Sequence, residues 1–527
     1  MTFLEGLKKE SAKTITGNGE VGYSTTLDNV LDYSLKVGNS RFLPNYDIKD
    51  AFDKSWKTDE VLTAKTVFHG RDILEGGGDK KFGRLGIKKI FDTINVEKYD
   101  TLFNLVVKYG SYKDLVLLLG QKSLTDIQVR YLVNFLNTQL SIALDKLDSG
   151  EKNNNELLVA KYLPTETTKS SFMKLAYSRI INTTKVKRKD YRKTVVRARK
   201  HLNLVETHLT NKDYESIDYN KVPSQAMLKY KNAFYRNDND KINEHFNKLN
   251  SDDETIKESV KVNTKTLEPY QIVDKVLDKV NDFYYGSDDS ESENTVFYDT
   301  MWDNLPKLEN SISALPIVDV SGSMYGLPMS VAVSLGIYLA ENNNSEFKNH
   351  FFTFSENPTL IDISNDKGLT EKVKTVANSE WGMSTDLKKV FDTILNTALN
   401  NPEYKVPEVL VIISDMNFNQ ISSGWYSNDS EYNSTFFEKI KSIYSKHGLQ
   451  VPFIVFWNVD GNAYGNNGVH PVVSTDKNVC EVSGFSKNIF KSIMTLDIDE
   501  LQDYTPTKVL LNTLNSDRYD DIEKLFE

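Results

Sequence analysis

Between Asp126 and Leu147 the apolar positions fall at three- and four-residue steps: Val129, Leu132, Val133, Leu136, Leu140, Ala143, Leu144 and Leu147. That stripe predicts a helix with one buried face. Residues 99–108 and 112–119 repeat the pattern on either side of Gly110-Ser111, which predicts a helix–turn–helix. Alternating strand patterns are hard to find before residue 290. The first half is therefore expected to be all-helical, paired antiparallel helices in a HEAT-like solenoid, open or closed into a ring, although no fixed repeat period is present. Residues 148–155 (DSGEKNNN) read as a loop within it.

Residues 286–294 (GSDDSESEN) are acidic and lack apolar anchors. Beyond them short apolar runs alternate with helical segments. Strands are predicted at 314–320, 350–354, 408–413 and 451–459, and helices at 329–341, 386–399, 436–446 and 487–495. The runs Val409-Leu410-Val411-Ile412-Ile413 and Phe453-Ile454-Val455-Phe456-Trp457 are apolar throughout. Strands buried on both faces look like that, and they imply a parallel α/β sheet with helices on each side. The expected division is a helical domain over 1–285, an acidic linker and connection over 286–309, and an α/β domain over 310–527. Ligands of such a sheet bind beyond the carboxyl ends of its strands.

Composition narrows the classes. At 527 residues the chain exceeds one ordinary core. A single cysteine, Cys480, excludes a disulfide framework and any cysteine-based zinc or iron–sulfur centre, and fits a reducing compartment. No run of 18 apolar residues exists, and Met1-Thr2-Phe3-Leu4-Glu5-Gly6 lacks a signal pattern. A soluble cytoplasmic monomer without a membrane partner is expected. Charge is uneven: residues 301–527 hold 17 basic against 30 acidic side chains, residues 1–300 hold 47 against 44. Residues 174–200 alone carry eleven cations and one acid, Asp190. Opposite halves suggest separate tasks.

The first predicted strand of the second half runs into Asp319-Val320-Ser321-Gly322-Ser323. An acid followed at two-residue steps by two hydroxyls, in a loop leaving a strand, gathers the hard oxygen ligands that Mg²⁺ or Mn²⁺ prefers. Thr385 stands just ahead of a predicted helix and Asp415 closes another strand, so both fall at equivalent strand ends. Alone, the pentapeptide reads as a turn or helix cap; with Thr385 and Asp415 added it reads as a metal site. The five resemble, in order, the metal-ion-dependent adhesion site of von Willebrand factor A domains, over residues 310–497. That resemblance implies Asp319, Ser321, Ser323, Thr385 and Asp415 as ligands, with an open position for a partner's carboxylate.

A helical solenoid ahead of such a domain resembles the Ro autoantigen family, a TROVE module plus a von Willebrand A domain, which implies RNA binding. Several segments resemble more closely the Ro-like proteins of bacteriophages, large DNA viruses and plants. They are Phe68-His69-Gly70-Arg71-Asp72 with Gly76-Gly77-Gly78-Asp79, Tyr109-Gly110-Ser111-Tyr112-Lys113-Asp114, Lys161-Tyr162-Leu163-Pro164, Ile217-Asp218-Tyr219 with Val222-Pro223-Ser224, and Val482-Ser483-Gly484-Phe485-Ser486. The Asn- and Lys-rich wording suits a low-GC phage. Resemblance to Ro itself is diffuse in the helical half, so no RNA-contacting residue is carried over from it.

From Tyr191 to Val205 the residues Tyr191, Val195, Ala198, Leu202 and Val205 share one apolar arc. Lys185, Lys187, Arg188, Lys189, Arg192, Lys193, Arg197, Arg199 and Lys200 lie upstream or on the remaining faces, a strip that would track a phosphate backbone. Pairing with the acidic half and plain solvation are the other readings. No zinc finger, basic zipper or RNP motif is present, so single-stranded or small non-coding RNA is the preferred ligand over a specific DNA site. The glycines at 76–78 lack the spacing of a phosphate-binding loop. The seven histidines are scattered, and His470 has no evident partner. No Gly-x-Ser-x-Gly surrounds Ser321 or Ser323, and no enzyme is expected. An RNA-binding ribonucleoprotein component leads; a metal-dependent protein–protein adaptor and a virion component follow.

Overall fold

The computed structural model describes the chain apart from residues 1, 151–153, 285–290, 309–311, 355–356, 380–385, 421–432, 461–467 and 495; of 154–156, 279–284 and 291–294 it describes the backbone alone. The first half is helical, as its periodicity predicts. The long stripe forms the helix Asp126–Asp148, opened by a capping box in which Thr125 and Gln128 satisfy each other's backbone N–H groups. The two shorter runs form Tyr99–Tyr109 and Tyr112–Leu119, broken at Gly110. One element was not expected. Residues Lys13–Ile15 (β1) and Val21–Tyr23 (β2) form a small antiparallel hairpin, three residues a side and too short for a period-two pattern to register.

The second half holds a six-stranded mixed sheet flanked by helices. Its strands are β3 (Ala314–Asp319), β4 (His350–Phe354), β5 (Thr359–Asp362), β6 (Val409–Ser414), β7 (Phe453–Asn458) and β8 (Val479–Ser483). Their spatial order is β5-β4-β3-β6-β7-β8; all neighbours are parallel except the edge pair β4–β5. Every residue of β3, β6 and β7 is buried. Period two sorts them between two layers: Val409, Val411 and Ile413 face one core, Leu410 and Ile412 the other. The helices Leu387–Asn400 and Phe436–Lys446 cover the second face. Strands β5 and β8 escaped the sequence reading because each is short and at an edge, and exposed Leu360 blurs the pattern of β5.

Packing does not change character at residues 285 and 310. The core on the first face of the sheet begins at Val205 and takes in Phe234, Phe246 and Val273. The helix Pro269–Tyr284 lies along the helix Leu327–Glu341. Within the stretch expected as an acidic linker, residues 286–309, Glu291–Asp303 is a helix whose Phe297, Met301 and Trp302 are buried in that same core. Phe297, Met301 and Trp302 stand at helical spacing, a signal outweighed by the acids just before them. A separate core gathers residues from Tyr33 to Leu202, and it admits Tyr519, Ile522 and Leu525 from the far end of the chain.

The two halves thus hold each other's ends. The hairpin sits on the α/β half, where Tyr23 and His470 exchange backbone hydrogen bonds of 2.8 and 2.7 Å. Residues Asp517–Leu525 lie on the helical half: Arg518 grips Asp72, and the Tyr519 ring packs 5.6 Å from that of Tyr109. Several of the segments that carried the resemblance brace the helical half or join the two halves. Arg71 and Arg84 both bind the buried Asp114 carboxylate, at 2.7 and 2.6 Å. Asp79 caps one helix and receives Gly38 N–H and the Ser40 hydroxyl. Gly38 and Gly484 meet so closely that a Cβ on Gly38 would collide with the other's backbone.

Candidate metal centre and cationic helix

Strand order reverses between β3 and β6: the chain leaves β3 toward one edge and returns beside it toward the other. Carboxyl ends at such a reversal leave a crevice. Asp319 ends β3 and Asp415 follows β6, so these two neighbouring central strands deliver both acids to the same place. Both carboxylates are fully buried. Ser321 N–H donates to Asp319 Oδ1 at 2.9 Å, and the Ser321 and Ser323 hydroxyls lie 3.1 Å apart. Asn417 N–H donates to Asp415 Oδ1 at 2.9 Å, and the Ser323 hydroxyl lies near enough to offset part of the burial cost of the Asp415 carboxylate. Thr385 lies outside the described residues; the helix it was expected to precede runs from Leu387 to Asn400, capped by Asp386.

Burial is the main electrostatic fact here. It pushes the Asp319 carboxyl up to about 7, with the charge of Asp415 adding to it, and it raises Asp415 as well. Two buried acids side by side are costly to ionise without a cation between them. Among the described residues no group of three or more His, Cys, Asp or Glu side chains is placed for a metal. The donor set is instead two carboxylates and hydroxyl oxygens, which fits a small hard divalent ion that keeps some of its waters. The sequence reading missed Ser414, whose hydroxyl donates to Asp319 Oδ2 at 2.6 Å and fixes that carboxylate from the neighbouring strand. Its place directly before Asp415 was the available signal.

Residues 313–521 match the family described as "Domain of unknown function (DUF7788)", and residues 152–308 match "Domain of unknown function (DUF2828)". The chain is 28% identical over 535 residues to Uncharacterized protein L728 of Acanthamoeba polyphaga mimivirus, across 95% of this chain and 87% of that protein. The first match opens just before β3 and so contains both acids of the centre.

The basic run forms the helix Arg188–His201, with Tyr191, Val195 and Ala198 buried beneath it. Leu202 and Val205, just past its end, are buried as the apolar arc predicts. Lys185, Lys187, Lys189, Arg192, Lys193 and Lys200 are exposed. Arg188 pairs with Glu166 at 2.9 Å and Arg197 with Asp148, both at the surface. Arg199 is also engaged within the fold. Its guanidinium donates from Nε to the carbonyl of Ala160 at 2.8 Å and from Nη2 to that of Leu163 at 2.6 Å, closing the end of the helix Asn154–Tyr162. His470 also differs: Glu481 stands 2.9 Å from its Nδ1, and both are buried. Among the described residues no helix is long and apolar enough to cross a membrane.

Proposed function

We propose that this protein is a Ro-like RNA-binding protein. Its helical half is read as a HEAT-like, TROVE-type solenoid that binds single-stranded or small non-coding RNA. Its α/β half is read as a von Willebrand factor A domain that holds Mg²⁺ or Mn²⁺ through Asp319, Ser321, Ser323 and Asp415, with Thr385 assigned by its place in the sequence. The observation that carries RNA binding is the exposed cationic stripe of Lys189, Arg192, Lys193 and Lys200 in a protein of net charge −10. The metal reading is supported by two buried acids meeting at the strand ends where the sheet order reverses. The ion would balance both carboxylates and leave a coordination place for an anion.

Charge reversal of Lys189, Arg192, Lys193 and Lys200 is expected to weaken RNA binding and reduce the slope of log K against log salt by roughly 2 to 3, at about 0.7 per lost phosphate contact. Arg199→Gln, by contrast, is expected to lower the melting temperature and leave that slope alone. An unchanged slope in the reversed protein defeats the reading. The metal-dependent adaptor is favoured by one observation: Tyr325, 90% exposed, stands beside the Asp319 loop as a contact for a protein partner. Protein that purifies free of RNA and captures a partner only with Mg²⁺ would establish that second reading.

A further inference from the structure

The turn of the hairpin, residues 16–20, lies against the loop that carries Asp415. Asn18 makes three hydrogen bonds there. Its N–H donates to Asn417 Oδ1 at 3.1 Å, its side-chain amide donates to the Asn417 carbonyl at 2.7 Å, and its carbonyl accepts from Gln420 N–H at 3.1 Å. The Thr16 hydroxyl donates to the Phe418 carbonyl at 3.0 Å, and Gly19 pairs with Asn419 as an isolated antiparallel bridge. Asn417 is the residue whose N–H holds Asp415 Oδ1. Between the two stands Met416 at φ +62°, a left-handed turn that a side chain adopts only where the surroundings enforce it. The hairpin itself is fixed from below by a buried ion pair, Lys439 to Glu20 at 2.5 Å, and by the Tyr23 hydroxyl on Glu438 at 3.2 Å.

We infer that the hairpin positions the metal centre: the Asn18 side-chain amide, through its bond to the Asn417 carbonyl, sets the orientation of the Asp415 carboxylate. The inference rests on the metal reading above and adds to it a requirement from a segment 399 residues away in sequence. Asn18 is exposed, so its replacement leaves the core intact. It touches no ligand oxygen itself and is a positioning residue.

Mn²⁺ binding to the full chain, followed by electron paramagnetic resonance of the free ion, is the test. Asn18→Ala is expected to weaken Mn²⁺ binding roughly 3- to 10-fold, somewhat less than the loss usual for a residue that holds a ligand directly. Tyr338→Phe is the comparison, because it deletes a buried hydroxyl bond to the Pro306 carbonyl near the other end of the helix that follows the Asp319 loop. It is expected to lower the melting temperature and keep the parent's Mn²⁺ affinity. Parent-like binding by Asn18→Ala overturns the inference and leaves the metal reading standing. Equal weakening by Tyr338→Phe also overturns it, since general loosening then suffices. A parent that binds no Mn²⁺ removes the metal reading and the inference together.

Discussion

At the scale of single residues, the protein places several charges where burial decides their chemistry. Asp319 and Asp415 raise each other's cost of ionisation, so a divalent ion that binds only the folded state stabilises it. At a hundred times its dissociation constant, Mg²⁺ adds about 2.7 kcal/mol, or a melting shift of roughly 5 to 10 °C for a domain of this size. Calorimetry with and without EDTA should show that shift in the parent and none in Asp319→Asn. Two histidines give opposite pH signs. His470 gains from Glu481 and has its pKa raised above 6.5, so its contribution is full below 6.5 and fades as pH rises through the folded value. His69, beside Tyr519, is pushed down to about 4 by burial, so stability is lost as pH falls from 6.5 toward 4. Melting curves between pH 4 and 8 should therefore show His470→Gln costing most near pH 6 or below, and His69→Gln flattening the acid limb.

At the scale of elements, the clearest contrast between sequence and structure is the helix Glu291–Asp303. A linker would tolerate truncation of Phe297, but this ring is fully buried against Phe246 and Tyr298. Phe297→Ala should cost about 3 to 5 kcal/mol, measured by urea denaturation of the full chain. The central strands were legible because burial on both faces leaves uninterrupted apolar runs, as in Val409-Leu410-Val411-Ile412-Ile413. Asp319 and Asp415 were legible for a related reason: a polar residue that ends such a run must sit at the rim of the sheet. The hairpin and the edge strands were not: the hairpin strands hold three residues each, exposed Leu360 breaks the pattern of β5, and Glu481 interrupts the apolar run of β8. Nor could spacing reveal that Asn18 meets Asn417 or that Arg199 closes a neighbouring helix. Those contacts depend on which distant carbonyls happen to lack partners, a property of the assembled fold.

At the scale of the whole molecule, neither half is complete alone. Tyr519, Ile522 and Leu525 fill the helical core, and Lys65, almost wholly buried, finds its counter-charge in Glu523 at 2.6 Å. Removing residues 515–527 should lower the melting temperature of the helical half and open the region around residues 59–110 to limited proteolysis, while leaving the sheet protected in hydrogen exchange. This exchange of ends also has a consequence in time. Glu20 waits for Lys439, 419 residues further along, and Asp72 waits 446 residues for Arg518. At cellular rates of synthesis those partners arrive roughly 20 to 90 s apart. Throughout that interval the nascent hairpin has no surface to pair with and the Asp72 carboxylate lacks Arg518, so segments synthesised hundreds of residues ahead of their partners are among the last to fold.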